Sequence, residues 1–264
     1  MPSVKTMKGL PIFLALLLVA GASQAEKLKQ RFDKTVPLKA GAKITLENAN
    51  GPVVFEAWDR DEVRIEAEKW AESKRSDVAK KALGQIRILV NQTPGALKIR
   101  TQVDTNSQGE VMDWLLGKEV RTGVSYRVRV PRQAIVAASN VNGALTVNAL
   151  QGDLDLTTVN GKIAIAKANG AVRATTVNGG IEAELADVSD DLRFETVNGG
   201  VELRLPAGSR LTLDASMAHG VVRSDFQVAG ADPKKRNVLK GDVNGGGSRV
   251  TIRTVNGGIQ LSEL

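Results

Sequence analysis

The chain has 264 residues, a formal net charge of +7, a single histidine, no cysteine and 3% aromatic residues. Without a thiol there can be no disulfide, no thiol catalysis and no acylated lipoprotein cysteine, and His219 alone cannot make a histidine-rich zinc site. Basic and acidic residues are interleaved rather than gathered in a stripe, and so few aromatics leave little to stack on bases, so the composition does not read as nucleic-acid binding.

Residues 1–25 read as a cleaved secretory signal. Lys5 and Lys8 give a positive start, Leu10 to Ala20 are apolar apart from Pro11, and Ser23 and Ala25 put small residues before an expected cut after Ala25. That apolar run is eleven residues, short of the roughly 20 needed to span a bilayer. Losing Lys5 and Lys8 takes the charge from +7 to +5 for the expected mature chain, Glu26 to Leu264, which has no later apolar stretch of spanning length.

Residues 26–134 are expected to form a β-rich region continuous with the repeats beyond it. Thr35 to Leu38, a turn at Gly41, and Ile44 to Leu46 read as an opening strand pair. Asn48-Ala49-Asn50-Gly51 resembles a first copy of a later turn, and strands come next at Val53–Trp58 and Val63–Glu68, joined by Asp59 to Glu62. Ser76 to Leu83 reads as a short helix with Ser76 as its N-cap and Gly84 as its stop. Ile86–Val90 and Leu97–Thr101 are strands about a turn at Asn91 to Gly95, and Tyr126–Val130 is another strand, ended by Pro131. Asp104 to Gly123 reads as a long loop. Met112, Trp114, Leu115 and Leu116 within it offer either a cap for the open end of the fold or an apolar patch for a partner.

Residues 135–264 are repetitive. Asn-Gly follows a small apolar residue at Val141-Asn142-Gly143, Val159-Asn160-Gly161, Ala168-Asn169-Gly170, Val177-Asn178-Gly179, Val197-Asn198-Gly199, Val243-Asn244-Gly245 and Val255-Asn256-Gly257. Gln151-Gly152 and His219-Gly220 stand in equivalent places. From Asn142 to Asn178 the step is nine residues, later lengthening to 20 and 21. Between turns, apolar and polar residues alternate, as in Leu154 and Leu156, Ile163 and Ile165, and Val201, Leu203 and Leu205, which is the period of strands with one buried face. Asn and Gly both tolerate positive φ. Either a meander of hairpins or a β-solenoid fits, and the constancy of the turn favours the solenoid, because stacked coils place like over like. Val is expected to face inward, with Asn142, Gly143, Asn160, Gly161, Asn178, Gly179, Asn198, Gly199, Asn256 and Gly257 making the corners. Stacking Asn160, Asn178 and Asn198 would set Glu184 by Arg204 and Glu182 by Glu202.

The order of these motifs is itself informative. Gly51-Pro52-Val53-Val54-Phe55-Glu56-Ala57-Trp58-Asp59 comes first, then Asp61-Glu62-Val63-Arg64-Ile65-Glu66-Ala67 and Tyr126-Arg127-Val128-Arg129-Val130-Pro131. Repeated Thr-Val-Asn-Gly comes next, and the chain closes on Gly245-Gly246-Gly247 with Thr254 to Ile259. Over Val36 to Leu261 this resembles the bacterial β-strand-repeat "putative adhesin" family, a domain of unknown function. The resemblance implies an all-β fold, a right-handed β-solenoid of stacked short strands at the cell envelope, and it brings no catalytic residues.

The chemistry of individual residues points the same way. His219 stands where the turn elsewhere has Asn and reads as a turn residue. Asp153 with Asp155, and Glu182 with Glu184, share faces as an acid–base pair on a glycosidic bond would, but they alternate with apolar residues like any solvated strand face. Asn178-Gly179-Gly180-Ile181-Glu182 lacks the third Gly and the Asp of a calcium β-roll, and no phosphate loop appears. No catalytic, cofactor or metal residue is therefore assigned. The expected role is a non-enzymatic envelope protein, periplasmic or at the cell surface, that binds another envelope protein or a surface glycan through a flat β face. The alternatives are a carbohydrate-active enzyme on the same fold, or a structural or signalling component acting through the Trp114 loop.

Overall fold

The structure, a computed structural model, describes residues 26–104 and 120–264. The expected signal segment and Met112, Trp114, Leu115 and Leu116 lie outside the described residues.

In chain order the elements are β1 (Glu26–Pro37), β2 (Lys43–Glu47), β3 (Val53–Trp58), β4 (Glu62–Ser73), α1 (Ser76–Gln85), β5 (Ile86–Thr93), β6 (Ala96–Val103) and β7 (Val120–Pro131). The repeats supply β8 (Ile135–Asn142), β9 (Leu145–Asn148), β10 (Leu154–Asn160), β11 (Ile163–Ala168), β12 (Val172–Asn178), β13 (Ile181–Leu185), β14 (Leu192–Asn198) and β15 (Val201–Leu205). The chain ends with β16 (Leu211–His219), β17 (Val222–Ser224), β18 (Val238–Val243), β19 (Ser248–Asn256) and β20 (Ile259–Glu263).

These strands form two ten-stranded sheets. The first runs β1-β4-β7-β3-β9-β11-β13-β15-β20-β17, the second β18-β16-β19-β14-β12-β10-β8-β2-β6-β5. Each coil gives one strand to each sheet, so β10 leads into β11 and β12 into β13, and like strands of successive coils pair in parallel. The fold is thus a β-solenoid and not a meander. The nine-residue unit of the sequence is one strand with one corner. Two corners complete a coil, and Gln151-Gly152 and Asn169-Gly170 belong to the corner opposite the Val-Asn-Gly one, with Asn169 N–H donating to Leu150 C=O.

Alternation places the core between the sheets. Leu154 and Leu156 of β10 face Ile163 and Ile165 of β11, all at most 3% exposed, and the same positions recur along the stack in one continuous cluster. A smaller cluster, Ala71, Ala79 and Ala82, lies beneath α1. The buried row is mostly Val, Leu and Ile, and the parallel ladders link each coil only to its neighbours in the stack.

Coil order departs from chain order at both ends. The β2–β3 coil has β8–β9 on one side and β6–β7 on the other. At the far end β19–β20, the last coil of the chain, lies between β14–β15 and β16–β17. Antiparallel strands finish the stack: β4 and β1 beyond β7, β5 beyond β6, and β18 beyond β16.

Several sequence expectations are corrected. The opening strands do not pair with each other, since β1 joins β4 in the first sheet while β2 lies between β6 and β8 in the second. The expected loop to Gly123 ends earlier, because β7 begins at Val120; Gly123 lies under the Trp70 ring, where a Cβ would come within 2.6 Å of the indole. The helix runs on to Gln85 through Gly84, and its cap position is Arg75, with no side-chain capping bond; Ser76 is its first residue. The hairpin of β5 and β6 forms as expected.

Candidate functional site

The Val-Asn-Gly corner is the most regular feature of the molecule. Asn160, Asn178, Asn198 and Asn256 are in register, as are Asn142 and Asn160. Each amide donates to its neighbour's Oδ1, Asn142 to Asn50, Asn160 to Asn142, Asn178 to Asn160, Asn198 to Asn178 and Asn256 to Asn198, at 2.7–2.9 Å. His219 is the next member by register. The ladder is exposed, so its net worth per bond is modest.

The residue types at this corner have other reasons than those the sequence suggests. Val141, Val159, Val177, Val197 and Val255 are 37–42% exposed, so Val faces out. The inward position is the Thr before it: Thr158, Thr176, Thr196 and Thr254 are at most 5% exposed. Their hydroxyls donate to Gly143, Gly161, Gly179 and Gly199 C=O at 2.8–3.3 Å, each on the neighbouring coil. Asn140 and Asn48 do the same with their amides, reaching Gly51 and Val124 C=O on the neighbouring coil, and each also donates to the glycine carbonyl of its own corner, Gly143 and Gly51. Sequence reasoning missed this buried column, although counting in twos from Leu154 lands on Thr158 rather than Val159. The corner asparagines do not have positive φ. Asn244 does, but Val243-Asn244-Gly245 is a connection between β18 and β19, its amide donating to Ala207 and Ser209 C=O.

Glycine is needed for space. A Cβ on Gly161, Gly179, Gly199 or Gly257 would come within 2.1 Å of the carbonyl oxygen of the glycine one coil away. The corner residues therefore hold coils together at close range, a structural role.

The column ends in a polar cluster at the first coils. Thr101 Oγ1 donates to Asn48 Oδ1 at 2.9 Å and lies 2.7 Å from the Tyr126 hydroxyl, whose pKa burial pushes up to about 12.

The outer faces of the two sheets carry the side chains that can meet a ligand. On the first sheet, Glu182 lies beside Glu202 and Glu184 beside Arg204, the juxtaposition expected from the sequence. The like-charged pair is neutralised locally. Lys162 pairs with Glu182, and Arg204 donates to Glu202 at 2.6 and 2.9 Å, which raises the arginine's pKa.

The second sheet differs. Across its middle strands runs a shallow groove of about 440 Å³, lined by Lys43, Asp155, Arg173, Arg193, Arg249 and Ile135 among others. Arg173 lies directly beside Arg193 on the next strand, an unfavourable juxtaposition of like charges. Arg193 is paired with Glu195 at 2.6 Å, and Arg173 has no ion pair or side-chain hydrogen bond among the described residues. Asp153 and Asp191 are engaged with backbone, accepting from Ala171 and Arg249 N–H at 3.1 and 2.9 Å. Among the described residues no group of His, Asp and Glu is arranged to hold a metal, and no helix is long and apolar enough to cross a membrane.

No curated protein matches the chain. Among solved structures it is similar to a "putative cell adhesion protein" from Clostridium sporogenes, 13% identical, with 90% of this chain and 100% of that one covered and a TM-score of 0.48. It is also similar to a "putative adhesin" from Bacteroides fragilis (8% identical, 89% and 97% covered, TM-score 0.34) and a "putative lipid binding protein" from Parabacteroides distasonis (10% identical, 89% and 96% covered, TM-score 0.25). A family model, by contrast, matches residues 127–262, just over half of the chain and most of its stacked coils, and on that match the protein belongs to the Toastrack DUF4097 family.

Proposed function

We propose that the protein is an exported, non-enzymatic envelope protein that binds an acidic glycan across the groove of its second sheet. The observation that carries this is the Arg173–Arg193 juxtaposition: Arg173, with Asp155 beside it on the strand to its other side, makes no ion pair among the described residues, whereas the matching like-charged pair on the first sheet is held by Lys162 and Arg204. A carboxylate or sulfate bridging the two guanidiniums would relieve the repulsion through charge-assisted hydrogen bonds.

A glycan suits this surface better than a peptide. The strands under the groove are paired on both sides, so a peptide could not add itself as a further strand and would forgo the main-chain bonds on which such recognition relies. The groove crosses the strands, so a linear polymer lying in it would meet a new row of side chains roughly every 4.8 Å.

The test is retention of residues 26–264 on an immobilised polyuronate, with a neutral polysaccharide as control. Salt-sensitive retention on the polyuronate alone, lost in R173Q/R193Q, is the expected result. Equal retention on both polymers, or retention unchanged in R173Q/R193Q, contradicts it.

A further inference from the structure

The two ends of the solenoid are finished differently. At the far end the edge strands are β17, of three residues, and β18, of six. Short edges of this kind limit pairing with another chain. At the near end the first sheet finishes on β1, twelve residues in continuous register with β4 along one side and, among the described residues, with no strand on the other. Its side chains are charged enough to discourage indiscriminate pairing: Lys27, Lys29, Arg31 and Lys34 against Glu26 and Asp33. They are also arranged in a way that suits one particular partner.

We infer that two copies of the chain join edge to edge through β1, antiparallel, with Phe32 facing Phe32 of the second copy. In that register Arg31 faces Asp33 twice, Leu28 faces Val36 twice, Lys29 faces Thr35 and Gln30 faces Lys34, and no two like charges meet. Neighbouring registers that keep the same face inward all fail on charge: they set Arg31 against Arg31, Lys29 against Arg31, Asp33 against Asp33, or Lys34 against Lys34. A slip of one residue turns the Leu28–Phe32–Val36 side of one copy to the wet side of the other. Val36 is buried and Leu28 and Phe32 are half-buried against the core, so the favoured register extends an existing apolar row. The pairing joins two ten-stranded sheets about a two-fold axis and closes upon itself, so it makes dimers and not filaments.

Sedimentation velocity of residues 26–264 across a concentration series tests this. A monomer–dimer equilibrium is expected. R31D sets carboxylates against Asp33, D33R sets guanidiniums against Arg31, and each should weaken the dimer about tenfold. Asp33 is also held by Arg64 of its own chain at 2.7 Å, a pair that D33R loses, so the double variant R31D/D33R, which restores opposite charges across the seam, should recover only part of the loss. Circular dichroism checks that each variant is folded; R31D decides the matter by itself if D33R is not, because Arg31 is an exposed edge side chain. A monomer at every concentration overturns the inference, as does a dimer indifferent to R31D.

Discussion

At the corner, parity assigns each residue its work. Thr176 turns inward and its hydroxyl reaches Gly161 C=O at 3.0 Å, while Val177 turns outward beside the asparagine ladder. Valine's apolar character misleads here, since a residue repeated before every Asn-Gly looks like core, yet the phase set by Leu154 and Leu156 already assigns the inside to Thr. The isosteric Thr176→Val removes the hydroxyl that donates to Gly161 C=O and leaves that part-buried carbonyl with no other donor among the described residues, so it should lower stability by about 1–3 kcal/mol in a denaturant titration. Val177→Thr changes only an exposed side chain and should stay within about 0.5 kcal/mol. The reverse ranking would return Val to the core.

Among elements, those made of contiguous sequence are the legible ones. The β5–β6 hairpin, the helix and the alternating repeat strands can all be read directly, because their signals lie within a dozen residues. What cannot be read is which strand pairs with which when the partners are distant: β1 seeks β4, and β7 enters between β3 and β4. Gly84 shows the limit of local punctuation. It reads as a stop, but α1 continues through it to Gln85, and a Cβ there would meet nothing within 4 Å. Gly84→Ala should therefore stabilise the protein by about 0.5–1 kcal/mol, read as a rise in the thermal midpoint. A fall would mean that the last turn of α1 is not helical in solution. The candidate site is less legible still, because Arg173 and Arg193 are 20 residues apart and become neighbours only through the register of β12 and β14.

For the whole molecule, the repeat acts as a spacing device. Gly51, Gly143, Gly161, Gly179, Gly199, Gly257 and Gly220 form a column through seven coils, each approaching the carbonyl of its neighbour too closely for any side chain. The column ignores chain order, since Gly257 of the last coil sits between Gly199 and Gly220. The same close approach brings both sheets to pairing distance at every level, so the asparagine ladder, the threonine bonds, the core and the Arg173–Arg193 groove all depend on it. That claim is tested most directly by comparing Gly179→Ala with Gly208→Ala in equilibrium denaturation. At Gly179 the added methyl would meet Gly161 O at 2.1 Å, and at Gly208 nothing lies within 4 Å. The first substitution should lower stability by about 3 kcal/mol or more and the second should change it by no more than about 0.5 kcal/mol; equal effects at the two positions would contradict the stacked-corner account.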